Sequence, residues 1–381
     1  QGRETAGDGQ EVVNMMPFQR LEPGSVIVFE YVSGGGPRSS PAGIAVEGLS
    51  MASALFRAFS ALDGISVTLL LKKDIPFPFN GGNGRILPVD DGEGEAQFIS
   101  ECRRHEYAVL VAPETDGILE SIAVVVPDTG VKLLGSDPDA VELASNKALS
   151  MFALGRSGIP IPRWCVAREV RAMLAAAEEI GYPVVGKPLR GTSCEGSVLF
   201  RKGSDIDTYF DGKESRRPVL LLQSLVRGET MSLSLVISRS GKARLISVNT
   251  QDISVFPSKG IDGAGLPRFI YNGGVTGIEE ARFSKGGKWG WSVMEALTQK
   301  VVSSIPGLRG FVGIDFVMTD KGPVILEVNP RLTTPLAVAG ADASWNLGKI
   351  LLDACVEDTL PNKLEVPSIS FSNGDPFDGS H

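Results

Sequence analysis

Gly310-Phe-Val-Gly-Ile-Asp-Phe-Val-Met-Thr-Asp-Lys-Gly-Pro-Val-Ile-Leu-Glu-Val-Asn-Pro-Arg331 holds two apolar runs around Asp320-Lys321-Gly322, which reads as a three-residue hairpin loop with glycine last. With Thr319 opposite Pro323, Asp315 falls opposite Glu327, and such paired residues have Cβ atoms about 4.5–5.5 Å apart. Glu327 and Asn329, two apart on one strand, share that face. Two facing carboxylates repel unless a proton or cation lies between them. An oxygen set of Asp315, Glu327 and Asn329 suits Mg2+, with Mn2+ as a substitute and phosphate oxygens completing the shell. A solvated hairpin face with a chance acidic pair is the plainer alternative.

Upstream lies Gly186-Lys-Pro-Leu-Arg-Gly-Thr-Ser-Cys-Glu-Gly-Ser197. Its lysine precedes the glycine loop, so this is not a Walker A sequence. Lys187 at the end of a buried strand, followed by Gly191, Thr192, Ser193 and Gly196, can still hold polyphosphate through a point charge and backbone N–H groups. A surface loop with a snorkelling lysine fits equally well. Lys147 reads either as a second phosphate contact or as a helix-surface charge. Gln223-Ser-Leu-Val-Arg-Gly-Glu229 can line an adenine slot and then reach a ribose, or form a plain strand–turn–strand.

Around these pieces the chain alternates strands and helices. Ser25–Glu30, Ser66–Leu71 and Tyr107–Ala112 read as buried strands, with helical spacing from Met51 and over Glu93–Glu106, which argues for a parallel α/β domain. A helix capped by Ser145 runs to Gly158. Beyond Pro183 the strands crowd together at 183–188, 196–201, 218–223, 230–237 and 242–249, and Asp252–Gly287 reads as a loop-rich stretch. A helix over 292–305 precedes the opening hairpin. The expected organisation is a flexible arm (1–22), an N-terminal α/β domain (23–136), a small subdomain (137–224), a C-terminal α+β subdomain (225–367) and a flexible tail (368–381).

Composition removes several classes. The 381 residues carry a net charge of −8, which disfavours a nucleic-acid binder with a broad basic footprint. His105 and His381 are the only histidines, which nearly excludes a His-dependent triad or a multi-His metal site. The four cysteines form no Cys-x-x-Cys pair, so neither a zinc site nor a disulfide framework is indicated. With no signal-peptide pattern and no apolar run of membrane-crossing length, the expectation is a cytoplasmic protein without membrane or nucleic-acid partners.

Taken in this order, the motifs resemble the ATP-grasp superfamily of carboxylate–amine ligases over about residues 130–340. The resemblance implies an ATP-grasp fold, α/β and α+β, with a parallel α/β domain followed by two subdomains that clasp ATP. It implies that Lys147 and Lys187 contact phosphates and that the 191–197 loop is a mobile flap. It places Gln223, Ser224, Leu225 and Val226 against adenine, Glu229 on the ribose, and Mg2+ on Asp315, Glu327 and Asn329. Arg331 would face the transferred phosphate, with Leu332-Thr333-Thr334 near the acceptor. Family members differ by a residue in where the ribose carboxylate falls.

A narrower resemblance rests on Phe29-Glu-Tyr-Val-Ser-Gly-Gly-Gly36, Val46-Glu-Gly48, Ala112-Pro-Glu-Thr-Asp116, Asn249-Thr-Gln251, Tyr271-Asn-Gly-Gly274 and Asn329-Pro-Arg-Leu-Thr-Thr334. These are similar to the tyramine–glutamate ligases of methanofuran biosynthesis. The implied reaction joins glutamate to tyramine through an acyl phosphate, with release of ADP and phosphate; a homodimer stays open. Another amino-acid or dipeptide ligase, or a nucleotide-binding regulator without turnover, are the alternatives. The Gly34-Gly35-Gly36 turn is expected to bring backbone N–H groups to a substrate carboxylate, with Glu30 and Glu47 facing an ammonium group, although a tight turn alone reads as well.

Overall fold

Along the first strand, Val26 and Val28 bury into one hydrophobic cluster while Ile27 and Phe29 bury into another, so the strand has no wet face. That is the requirement of a parallel sheet covered on both sides. The computed structural model describes residues 22–37, 42–77, 82–211, 218–257 and 265–372. The arm up to residue 21 and the tail from 373 lie outside the described residues. Strands β1 (Glu22–Glu30), β2 (Ser66–Lys72), β3 (Gly84–Val89), β4 (His105–Val111) and β5 (Lys132–Leu133) form a parallel sheet in the order β3-β2-β1-β4-β5. The helix Ala42–Ser60 covers one face with Met51, Leu55 and Phe59. Helices Gly94–Cys102 and Ile118–Val125 cover the other with Phe98 and Ile122.

The remaining strands are β6 (Trp164–Ala167), β7 (Val184–Pro188), β8 (Val198–Phe200), β9 (Leu220–Ser224), β10 (Glu229–Ile237), β11 (Ala243–Pro257), β12 (Pro267–Thr276), β13 (Gly310–Thr319), β14 (Gly322–Asn329) and β15 (Ile369–Ser372). Their order is β14-β13-β10-β11-β12-β8-β7-β9-β6, with β15 on β12, and the pairing is antiparallel. Helices Val170–Ile180 and Gly203–Phe210 pack against β6–β9 through Met173, Ala177 and Ile206. Helices Lys147–Arg156 and Trp291–Ser304 pack against β10–β14 through Met151, Leu154, Met294 and Val301. The helix Ala42–Ser60 shares its cluster with Phe311, Leu336, Leu347 and Leu351. It thereby docks the parallel domain onto the far end of the chain.

Several sequence expectations change. Within the Asp252–Gly287 stretch, residues 252–257 and 267–276 belong to the paired strands β11 and β12 and Glu280–Phe283 is a short helix, while 258–264 lie outside the described residues. Residues 369–372 of the expected tail pair with β12. The helix cap is Asn146, whose Oδ1 accepts from the N–H groups of Ala148 and Leu149 at 3.1 and 3.4 Å, rather than Ser145. The Gly34-Gly35-Gly36 turn is packed shut: Gly34 N donates to Glu30 O, Gly36 N to Tyr31 O, and Gly94 N to Gly35 O. A Cβ at Gly36 would lie 2.4 Å from the Tyr31 ring, so close packing is what these glycines serve. Glu30 is buried and accepts from Ser33 N, Ser33 Oγ and Val32 N at 2.7, 2.6 and 3.1 Å. It does not line the cleft described below.

Candidate active site

The opening hairpin forms with two changes that cancel. Thr319 pairs with Gly322 across a two-residue turn, one position tighter than the sequence reading. A bulge then leaves Leu326 as an extra residue on β14, so Asp315 still pairs with Glu327 and Gly313 with Asn329. A bulge re-aims side chains locally, and Leu326 and Glu327 both line the same cleft although they are sequence neighbours. Across the next strand Asp315 pairs with Ser232, which also lines it. Asp315 Oδ1 accepts from Gln251 Nε2 at 2.9 Å and Oδ2 from Asn329 Nδ2 at 3.0 Å.

Lys147 opens its helix, where the macrodipole disfavours a cation. Its Nζ is held 2.7 Å from Glu327 Oε1 and donates to Gly191 O at 2.7 Å. Lys187, half-buried on β7, has its ammonium pushed below its ordinary pKa by desolvation, with Glu327 pulling the other way. Burial, then the like charge of Glu327, pushes Asp315 up to about 6.

Arg331 makes a bidentate pair with Glu114, Nε to Oε1 and Nη2 to Oε2 both at 2.9 Å, and Nη2 also donates to Thr192 Oγ1 at 2.9 Å. Two further contacts fasten the 190–197 loop to the parallel domain. Arg190 Nε donates to Glu120 Oε2 at 2.9 Å, and Thr115 Oγ1 to Glu195 Oε2 at 3.1 Å. Ser193 and Cys194 both adopt left-handed backbone (φ 50° and 63°). Each costs on the order of 1–3 kcal/mol, and such strain gathers at ligand clamps. Burial pushes the Cys194 thiol up to about 11, which makes it a poor nucleophile.

The cleft has a volume of about 240 Å³. It brings together Lys147, Lys187, Gly191, Thr192, Ser193, Gln223, Ser224, Leu225, Val226, Asp315, Glu327, Asn329 and Arg331 from the sequence reading, together with Glu47, Thr333 and Thr334. Gly196, Glu229 and Leu332 were expected but do not line it, and Leu332 is buried in the hydrophobic cluster with Leu336 and Leu351. Gly196 (φ 70°) shapes the loop, where a Cβ would come 2.7 Å from Pro188 Cγ. Glu229 leaves the cleft to its neighbour Thr230 and sits 3.8 Å from Arg282. Strand alternation accounts for this, since Thr230 and Ser232 take the cleft face of β10 and Glu229 the other. Gln251 and Glu114 were missed as site residues. The two-residue spacing of Asn249 and Gln251 signals one face of a strand, and Glu114 stands inside the Ala112–Asp116 motif, which gave it no role.

Buried Gln223 Nε2 has no hydrogen-bond partner, a donor that an adenine ring acceptor would satisfy. Among the described residues no three acidic, histidine or cysteine side chains group together. A cation would therefore meet two carboxylates and a carboxamide, leaving places for phosphate oxygens and water, which is how Mg2+ is commonly held.

The chain belongs to the ATP-grasp family: the model of an ATP-grasp domain matches residues 144–335, and that of a pre-ATP-grasp domain matches residues 65–141. It is an ATP-dependent carbon–nitrogen ligase of that family. Among its relatives, a tyramine–L-glutamate ligase of Methanocaldococcus jannaschii is 25% identical over 343 residues, covering 89% of this chain and 92% of the relative. A D-alanine–D-alanine ligase of Mycobacterium tuberculosis is 24% identical over 286 residues, covering 66% and 72%. A putative ATP-grasp protein of Archaeoglobus fulgidus has the same fold, with a TM-score of 0.62 at 20% identity over 91% of this chain and 99% of that one. So does the biotin carboxylase domain dimer of Hydrogenobacter thermophilus 2-oxoglutarate carboxylase in complex with MgADP, with a TM-score of 0.66 at 16% identity over 90% and 71%. Among the described residues no helix is long and apolar enough to cross a membrane.

Proposed function

We propose that the protein joins a small carboxylate to an amine, with glutamate as the carboxylate and tyramine as the amine. ATP would first phosphorylate the carboxylate, and the amine would then displace phosphate from the acyl phosphate to leave an amide. The observation that carries this reading is the meeting of Lys147, Lys187 and Arg331 with Asp315, Glu327 and Asn329 in one cleft. The choice of substrates is supported by the tyramine–L-glutamate ligase relative, which is matched along most of its length. An apolar wall of Ile253, Val255 and Phe269 offers a surface for an aromatic amine.

Each residue has a positioning or charge-balancing task, and no enzyme nucleophile is needed. Gln223 to Val226 would hold adenine, and Lys147 and Lys187 the phosphates. Arg331, oriented by Glu114, would face the transferred phosphoryl group. Mg2+ held by Asp315, Glu327 and Asn329 would supply positive charge to the phosphate oxygens. The 191–197 loop would exclude water that would otherwise hydrolyse the acyl phosphate. We take residues 137–224 and 225–367 as the two jaws of the clasp and residues 23–136 as the domain that closes the acceptor end.

Incubation with ATP, Mg2+ and glutamate, with and without tyramine, tests the reading by ADP release and product mass. ADP formed in step with γ-glutamyltyramine is expected. ADP release that requires a different amine would replace the substrate pair, and no ADP with any carboxylate and amine would overturn the ligase reading.

A further inference from the structure

Glu47 sits in the second turn of the helix Ala42–Ser60 and reaches the cleft from the parallel domain. The Thr334 hydroxyl bonds its carboxylate, yet Glu47 Oε1 is buried with no partner. A buried acceptor left unpaired is costly, so such an atom inside a substrate cleft asks for a donor. The charged and titratable groups around it are few. Arg331 faces it from the segment after β14 and Tyr271 from β12, and the Glu30 carboxylate lies below the adjacent Gly48. Arg331 is itself bound by Glu114, so its charge is shared. No lysine or histidine among these groups could take a proton from an incoming ammonium.

We infer that Glu47 Oε1 is the proton acceptor for the attacking amine. This rests on the ligase reading above and deepens it. The amine arrives as an ammonium ion and gives one proton to Glu47 Oε1. The freed nitrogen lone pair forms the C–N bond at the acyl carbon, and the C–O bond to phosphate breaks with its electron pair going to phosphate. The surplus N–H proton leaves with phosphate as monohydrogen phosphate, and Glu47 returns its proton to solvent. Burial pushes the Glu47 carboxyl up to about 7, against the pull of Arg331 and Thr334. A base poised near the working pH transfers protons most effectively. Placement on the parallel domain also separates the amine's base from the phosphate-binding lysines, which belong to the other part of the chain.

The test compares wild type with Glu47→Gln, using tyramine and hydroxylamine as alternative nucleophiles toward the glutamyl phosphate. Hydroxylamine is uncharged at neutral pH and needs no base, so hydroxamate reports the first half-reaction alone. Glu47→Gln should lose amide formation by about 10²–10⁴-fold and still form hydroxamate. In wild type, kcat/KM for tyramine should fall as pH drops below about 7, a limb that the variant's residual rate lacks. Glu47→Asp, which keeps a carboxylate, should recover part of the amide rate. Amide formation by Glu47→Gln within threefold of wild type overturns the assignment, and so does an equal loss of amide and hydroxamate. Absence of hydroxamate from wild type overturns the ligase reading instead.

Discussion

Arg331 and Glu114 lie 217 residues apart, yet their side chains are only 10% and 1% exposed where they pair. Removing one partner of a buried pair costs about 3–5 kcal/mol because the other charge is stranded. After Glu114→Ala, Arg331 keeps the Thr192 hydroxyl and the Leu332 carbonyl. Those contacts and its slight exposure set the expected loss at the lower end, about 3 kcal/mol. Glu114→Gln retains one acceptor oxygen and should lose about half as much. If Arg331 faces a phosphoryl group, bound MgATP replaces the missing counter-charge, and the loss should shrink in its presence. Urea unfolding with and without MgATP reads both quantities, provided fluorescence and circular dichroism transitions coincide. A loss below about 1 kcal/mol in the free protein would refute the energetic argument. An equal loss at saturating nucleotide would refute the role of Arg331 toward phosphate.

Glu327→Gln should lower turnover by about 10²-fold or more while leaving the fold intact, and near-normal rates at ordinary Mg2+ would remove Glu327 from the metal site. Lys147→Ala and Lys187→Ala should each weaken ATP by about 10–100-fold, the worth of a charge-assisted contact. Adenosine should weaken by less than about twofold in the same series, and calorimetry showing equal losses for both ligands would point to a structural role. Gly35→Val places a β-branched residue at φ 78° with its Cβ 2.8 Å from Asp90 O. It should destabilise by about 2 kcal/mol or more without altering either Michaelis constant; a selective rise for the amino acid at unchanged stability would restore the turn as a substrate contact.

The hairpin was legible because two strong apolar runs flank a short polar turn, and Glu327 and Asn329 stand two apart on the second of them. Its bulge was not, since one extra residue is invisible until pairing is known. The second half of β11 and the whole of β12 escaped notice for a different reason. Their polar and glycine positions, such as Ser254, Asn272 and Gly273, look like loop composition, and it is pairing with each other and with β15 that makes them strands. Ser145 and Asn146 are adjacent capping residues of similar propensity, so sequence alone could not choose between them. Lys147, Lys187 and the glycine loop were readable as a set through their order along the chain. The Arg331–Glu114–Thr192 contact was not, because it joins three distant segments whose spacing carries no period. Glu229 shows the limit of a motif offset: one position along β10 exchanges the cleft face for the other.

The central claim is that phosphate passes from ATP to the carboxylate before the amine attacks. Glutamate labelled with ¹⁸O in its side-chain carboxylate tests it most directly, by mass analysis of the phosphate and nucleotide released during ligation. Transfer of one labelled oxygen to inorganic phosphate, with ADP as the nucleotide product, is the expected result. Unlabelled phosphate, or label appearing in AMP, would contradict the account.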